Sequence, residues 1–109
     1  MPLEIRGPRD ERIEAIAAAL EFHLKDHPRA EIVLYRYSPV SVRIRVIDPG
    51  FAGMKRFERN DMIWDCLDRL SEEEQADVNM LLLLAPDEVD SSPGNIEFEH
   101  TVEPSSAGV

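Results

Sequence analysis

The sequence predicts an α+β domain with the element order α-β-β-α-α-β, a three-stranded mixed sheet covered by helices on one face. Three observations carry that prediction. Ile13, Ile16, Ala17, Leu20 and Leu24 recur at helical spacing and form one apolar stripe. Ser41–Ile47 (SVRIRVI) alternates apolar and basic residues with the period of a strand. The stretch Val46–Leu84 then reads as strand, glycine-bearing turn, helix, short second helix and closing strand. Such a crossover returns the last strand parallel to the one it left.

Each element has a local cause. Asp10 is placed to cap the first helix, its carboxylate accepting from free amides of the first turn. Pro28 ends that helix by about His27, because proline has no amide to donate and its ring disfavours helical geometry in the residue before it. Glu31–Tyr37 (EIVLYRY) is rich in β-branched and aromatic side chains. Its link to Ser41–Ile47 through Tyr37-Ser38-Pro39-Val40 fits a hairpin, so these two strands are expected to be antiparallel neighbours. Val42, Ile44 and Val46 then point one way, and Arg43 and Arg45 the other, onto a face that is partly wet.

Asp48-Pro49-Gly50 breaks the second strand. Arg59, Met62, Ile63, Cys66, Leu67 and Leu70 share one face of the helix that follows. Ser71-Glu72-Glu73-Glu74 has the form of a capping box, in which serine and the third glutamate satisfy each other's free amides. It restarts a helix of one or two turns. Asp77–Leu84 closes the domain as a strand, and its Leu81–Leu84 run suggests burial on both faces.

The chain has 109 residues with 43% hydrophobic and 31% charged content, which is one domain with a single modest core. Its formal net charge of -10 is unevenly placed. Residues 87–109 hold six acidic groups and no Lys or Arg, together with Ser, Pro and Gly punctuation. The expected organisation is therefore a domain over 1–86 and an acidic, flexible tail over 87–109, with Ile96-Glu97-Phe98 as a weaker candidate for a docked strand. The negative balance opposes nonspecific binding to phosphate backbones and anionic lipid. A single cysteine, Cys66, allows no internal disulfide. No apolar run approaches ~18 residues and no hydrophobic signal core opens the chain, so the expected setting is the cytoplasm, away from membranes.

The usual signatures of catalysis are missing: there is no GxSxG elbow, Walker loop or HExxH. The expectation is a non-enzymatic protein without a cofactor. Cys66 falls on the apolar helix face as a structural thiol. Asp61, Asp65 and Asp68 read as a solvated acidic face. His23 and His27 are four apart, a spacing that can grip a metal. Yet His27 sits on the last turn before proline, where a cation complements the helix dipole, and no metal ligand is assigned.

The expected contact surface is the turn after the second strand and the start of the next helix: Gly50, Phe51, Gly53, Lys55, Arg56, Arg59 and Trp64. A backbone-exposing turn beside local positive charge, with a tryptophan on the helix flank, suits a partner interface. Gly50-Phe51-Ala52-Gly53 also matches the GxxG by which KH domains bring amides close to nucleic acid phosphates, although a KH loop lies between two helices and this one follows a strand.

The run Phe51-x-Gly53, then Arg59, Ile63-Trp64, Leu67, Leu70 and Val78-x-x-Leu81 resembles the BolA family, whose fold is itself similar to the type II KH domain. The resemblance covers residues 10–86 and implies a small regulatory or adaptor domain. It also implies where the family's metal chemistry would lie. BolA proteins usually read Arg-His-Arg where this chain has Arg59-Asn60-Asp61. They usually carry a histidine in the last strand where this chain has Asn79, and a second cluster ligand in the loop occupied here by Tyr37-Ser38-Pro39-Val40. Asparagine is a poor ligand for an iron–sulfur centre, so cluster sharing with a glutaredoxin is not expected. The expected partner is another protein bound through residues 50–64, and the alternative is a nucleic acid bound at the same turn.

Overall fold

The structure, a computed structural model, describes residues 2–99. Its elements are β1 (Leu3–Arg6), α1 (Glu11–Asp26), β2 (Glu31–Ser38), β3 (Ser41–Ile47), α2 (Arg56–Leu67), α3 (Glu72–Asp77), β4 (Val78–Leu84) and α4 (Asn95–Glu99), with single 3₁₀ turns at Pro49–Phe51 and Pro86–Glu88. The sheet is mixed, in the order β1-β2-β3-β4. β2 and β3 are antiparallel, while β1 runs parallel to β2 and β4 parallel to β3.

Local causes hold where they were expected. Asp10 accepts from the Ile13 amide at 2.8 Å, and α1 ends with His27 as its C-cap. Ser71 Oγ accepts from the Glu74 amide at 3.1 Å while Glu74 accepts from the Ser71 amide at 2.9 Å, which completes the capping box of α3. Arg36, at the far end of β2, ties three elements together. It donates to Asp10 at 2.9 Å and to Asp77 at 3.0 Å, and the bond to Arg36 is the main reason the Asp10 carboxyl lies below its ordinary value.

The core lies between α1, α2 and one sheet face. Ile13, Ile16, Leu20, Ile32, Leu34, Val42, Ile44, Val46, Phe51, Ile63 and Leu67 are all fully buried there, as the two hydrophobic periods require. Leu81 and Leu83 of β4 are partly buried against the same core, and only Leu84 of that strand is fully enclosed. The Leu81–Leu84 run therefore belongs to a half-covered edge strand, not to one buried on both faces.

Three further expectations are corrected. The sheet has four strands, not three. Leu3–Arg6 pairs with Ile32–Tyr35, and a four-residue strand held by backbone bonds leaves little pattern to read. The sheet is also covered on both faces. α4 lies against the side carrying Tyr35 and Arg45, where Phe98 is fully buried and meets Tyr35 edge-on at 5.6 Å. Finally, packing does not stop at Pro86. Arg45 donates to Asn95 Oδ1 at 2.8 Å, Arg6 donates to the Phe98 carbonyl, and Leu82 packs close to Gly94. The candidate docked strand at Ile96-Glu97-Phe98 is a helical turn. The remainder of the expected flexible tail, 100–109, lies outside the described residues. No helix among the described residues is long and apolar enough to cross a membrane.

Candidate functional site

The residues expected to form the contact surface divide sharply. Phe51 is fully buried, and its ring lies 5.6 Å from the Arg59 guanidinium. Arg59 is itself buried. It donates to the Met54 carbonyl at 3.2 Å, to the Leu83 carbonyl at 3.0 Å, and through two nitrogens to Glu88 at 2.6 and 2.9 Å. This bidentate pair brings the Glu88 carboxyl down to about 2 and raises Arg59. Phe51 and Arg59 thus hold the turn from inside and present no contact surface. The signal for Arg59 was in the sequence: it shares the helix stripe of Ile63 and Leu67. Trp64 is partly buried and packs against the core.

Gly50, Gly53, Lys55 and Arg56 are exposed. Gly53 has φ 80, a left-handed value that favours glycine. The amides of the turn are already engaged: Gly50 N donates to Asp48 Oδ1, Phe51 N to the Asp48 carbonyl, Ala52 N to the Pro49 carbonyl and Met54 N to the Phe51 carbonyl. A phosphate cradle needs such amides free, and three of the four in Gly50–Gly53 are bonded within the turn.

Lys55 and Arg56 stand instead at the mouth of an open groove of about 1110 Å³. It follows β4, which has a strand neighbour only on its β3 side in the described sheet. Leu81–Leu84 form its floor, Met54–Phe57 with Asn60 one wall, and Ser91–Gly94 the other. Phe57, 62% exposed, stands on the first wall. Sequence reasoning missed this groove because one wall comes from the segment read as free tail. Asn60 opens onto the groove, and Asn79 donates to Ser41 Oγ at 2.9 Å, which gives it a structural partner.

A second constellation lies where α1 ends. His23 Nε2 is 2.7 Å and His27 Nδ1 is 3.0 Å from the same oxygen, Oδ2 of Asp48, and the two imidazoles are stacked with centroids 4.3 Å apart. A carboxylate oxygen only accepts, so His23 Nε2, which is hydrogen-bonded to it, carries a proton. His23 and Asp48 are buried, and His27 is partly open. Burial pushes the His23 imidazole below its ordinary value, against the opposing bond to Asp48. The i, i+4 histidines were legible in the sequence. Asp48 was read only as a strand breaker. Cys66 is buried nearby and lines the same opening as Phe22 and Met62, and desolvation raises its thiol.

Comparison with protein-family models, curated proteins and solved structures finds no match to the chain. Its own geometry therefore carries the functional reading.

Proposed function

We propose that this chain is a small non-enzymatic binding domain that takes an extended, acidic-apolar peptide from a protein partner along the edge of β4. The observation that carries the reading is the groove itself: an edge strand, capped by a side chain where Arg59 donates to the Leu83 carbonyl, runs along it, with Lys55, Arg56 and Phe57 exposed beside it. An edge strand offers backbone groups to an incoming strand, and side-chain pockets beside it supply selectivity. Leu81 and Leu83 suit alternate apolar side chains of the peptide, while Lys55 and Arg56 suit its carboxylates. The adaptor role implied by the BolA resemblance is of the same class. The nucleic-acid alternative is weakened because three of the four amides of Gly50–Gly53 are already bonded within the turn.

A peptide array that varies charge and apolar spacing tests this. Binding of acidic-apolar peptides with amide shifts confined to 54–60 and 81–84 is expected, weakened at least tenfold by Arg56→Glu or Phe57→Ala and unchanged by Trp64→Phe. Failure of every peptide to bind, or binding of single-stranded RNA with a steep salt dependence in its place, sinks the proposal.

A further inference from the structure

We propose that His23, His27 and Asp48 form a binding site for a divalent first-row transition-metal ion, with Zn²⁺ as its reference occupant. The three ligand atoms, Nε2, Nδ1 and a carboxylate oxygen, all lie within 4.8 Å of one another. A four-coordinate zinc with bonds of 2.0–2.1 Å holds its donors roughly 3.3 Å apart. In the structure His23 Nε2 is hydrogen-bonded to Asp48 at 2.7 Å, and His27 Nδ1 lies 3.0 Å from the same oxygen. For an ion to take the place of the His23 proton, that proton moves to the other ring nitrogen, and the set opens by a few tenths of an ångström. Two nitrogens with one carboxylate suit zinc, iron, cobalt or nickel and do not suit calcium or magnesium, which prefer all-oxygen shells.

The site is built by two parts of the fold. α1 presents both imidazoles on one face through its i, i+4 spacing. The end of β3 supplies Asp48, whose amide is fixed by the Leu84 carbonyl at 2.9 Å and whose second oxygen accepts from Gly50 N at 2.8 Å. That second bond aims the free oxygen at the histidines, as an outer partner does for a ligating carboxylate. Gly50, in the same turn as Asp48, leaves room for the ligand atoms. Its φ is not positive, so its backbone does not demand glycine. A Cβ there would come within 3.0 Å of His27 Nδ1 and 3.2 Å of Asp48 Oδ1, which would crowd the ligand atoms.

One rearrangement is required. Imidazoles coordinate in the ring plane, and rings stacked at 5° cannot both aim at one ion. His27 is the ring free to turn, being 28% exposed at the end of its helix, and its last side-chain torsion is soft. The opening beside it, lined by Phe22, Asp26 and Asp65, gives an ion a path from solvent. The ion would link the end of α1 to the turn that precedes α2.

The untagged full chain, stripped with chelator and titrated with Zn²⁺ at neutral pH, tests the site. Zn²⁺ is expected to raise the thermal midpoint and to move the imidazole resonances of His23 and His27 while leaving His100 in place. His27→Gln, at the least buried ligand, is expected to weaken Zn²⁺ about 100-fold or more, beyond the 10–100-fold typical of outer partners. Gly50→Ala should weaken it in the same direction, and Cys66→Ser should leave it unchanged. The proposal is overturned if the folded wild-type chain shows neither effect of Zn²⁺, if His27→Gln binds as tightly as wild type, or if only the His100 resonances respond. The wild-type titration alone decides the matter should a variant fold poorly.

Discussion

The two faces of the sheet are held in different ways. The face under α1 and α2 is apolar and redundant: Ile32, Leu34, Val42, Ile44 and Val46 are all enclosed by several helical side chains. The opposite face carries Val33, Tyr35, Arg43 and Arg45, and a five-residue helix closes it with one buried aromatic, Phe98. On the first face, stability comes from apolar area shared among many residues. On the second, it comes from one anchor and a few directed contacts, Arg45 to Asn95 and Arg6 to the Phe98 carbonyl. The first face should therefore fail globally and the second locally, and the second also sets one wall of the β4 groove.

The sharpest test of the helical face is Ile44→Ala, in the centre of β3. Ile44 is fully buried between Leu34 on β2 and Leu81 on β4. Truncation there is expected to cost about 2–4 kcal/mol in denaturant unfolding, with all amides losing protection together. A loss under about 1 kcal/mol would mean that this face is less shared than its burial suggests.

Phe98→Ala tests the other face with a smaller effect, about 1–3 kcal/mol, because a short terminal helix can detach without leaving a sealed cavity. Hydrogen exchange should accelerate in residues 89–99 while the β2–β3 amides keep their protection. Parallel loss in β2 and β3 would make the two faces one cooperative unit and break the comparison. Peptide binding along β4 should weaken in the same variant, since Ser91–Gly94 wall the groove.

The same contrast explains what could be read from the chain. α1, β2, β3, α2 and the capping box of α3 were legible because each repeats a pattern over several residues, or pairs a capping side chain with an amide three residues away. β1 was not, since Leu3–Arg6 is fixed by backbone pairing with β2 and is closed off by Gly7-Pro8. α4 was hidden for a related reason: Phe98 is one aromatic in an acidic, proline- and serine-rich segment, and a single anchor has no period. In the candidate sites, exposed Lys55 and Arg56 followed from charge and turn chemistry. The helix stripe pointed to the burial of Arg59, but its partner Glu88, 29 residues away, could not be read from it. Asp48 meets His23 across 25 residues, so only the histidine half of that cluster could be seen in advance.

Glu88 gives the smallest effect and the cleanest sign, because it ties the 3₁₀ turn after β4 to α2. Its carboxyl falls from an ordinary 4.5 to about 2, chiefly through Arg59 and then through the Ala85 amide. A carboxylate depressed on folding stabilises the protein above its unfolded pKa and loses that contribution as pH falls through the folded value. The contribution is thus complete above about pH 4.5 and gone below about pH 2. With 38% of the Glu88 side chain exposed, solvent screening limits it to about 1 kcal/mol or less. Glu88→Gln should lower stability by that amount at pH 7, and the gap between variant and wild type should close as the pH is taken from 4.5 to 2. A gap that stayed constant across this range would show that the glutamate acts through its hydrogen-bonding shape and not its charge, and that the join between the groove and α2 is not electrostatic.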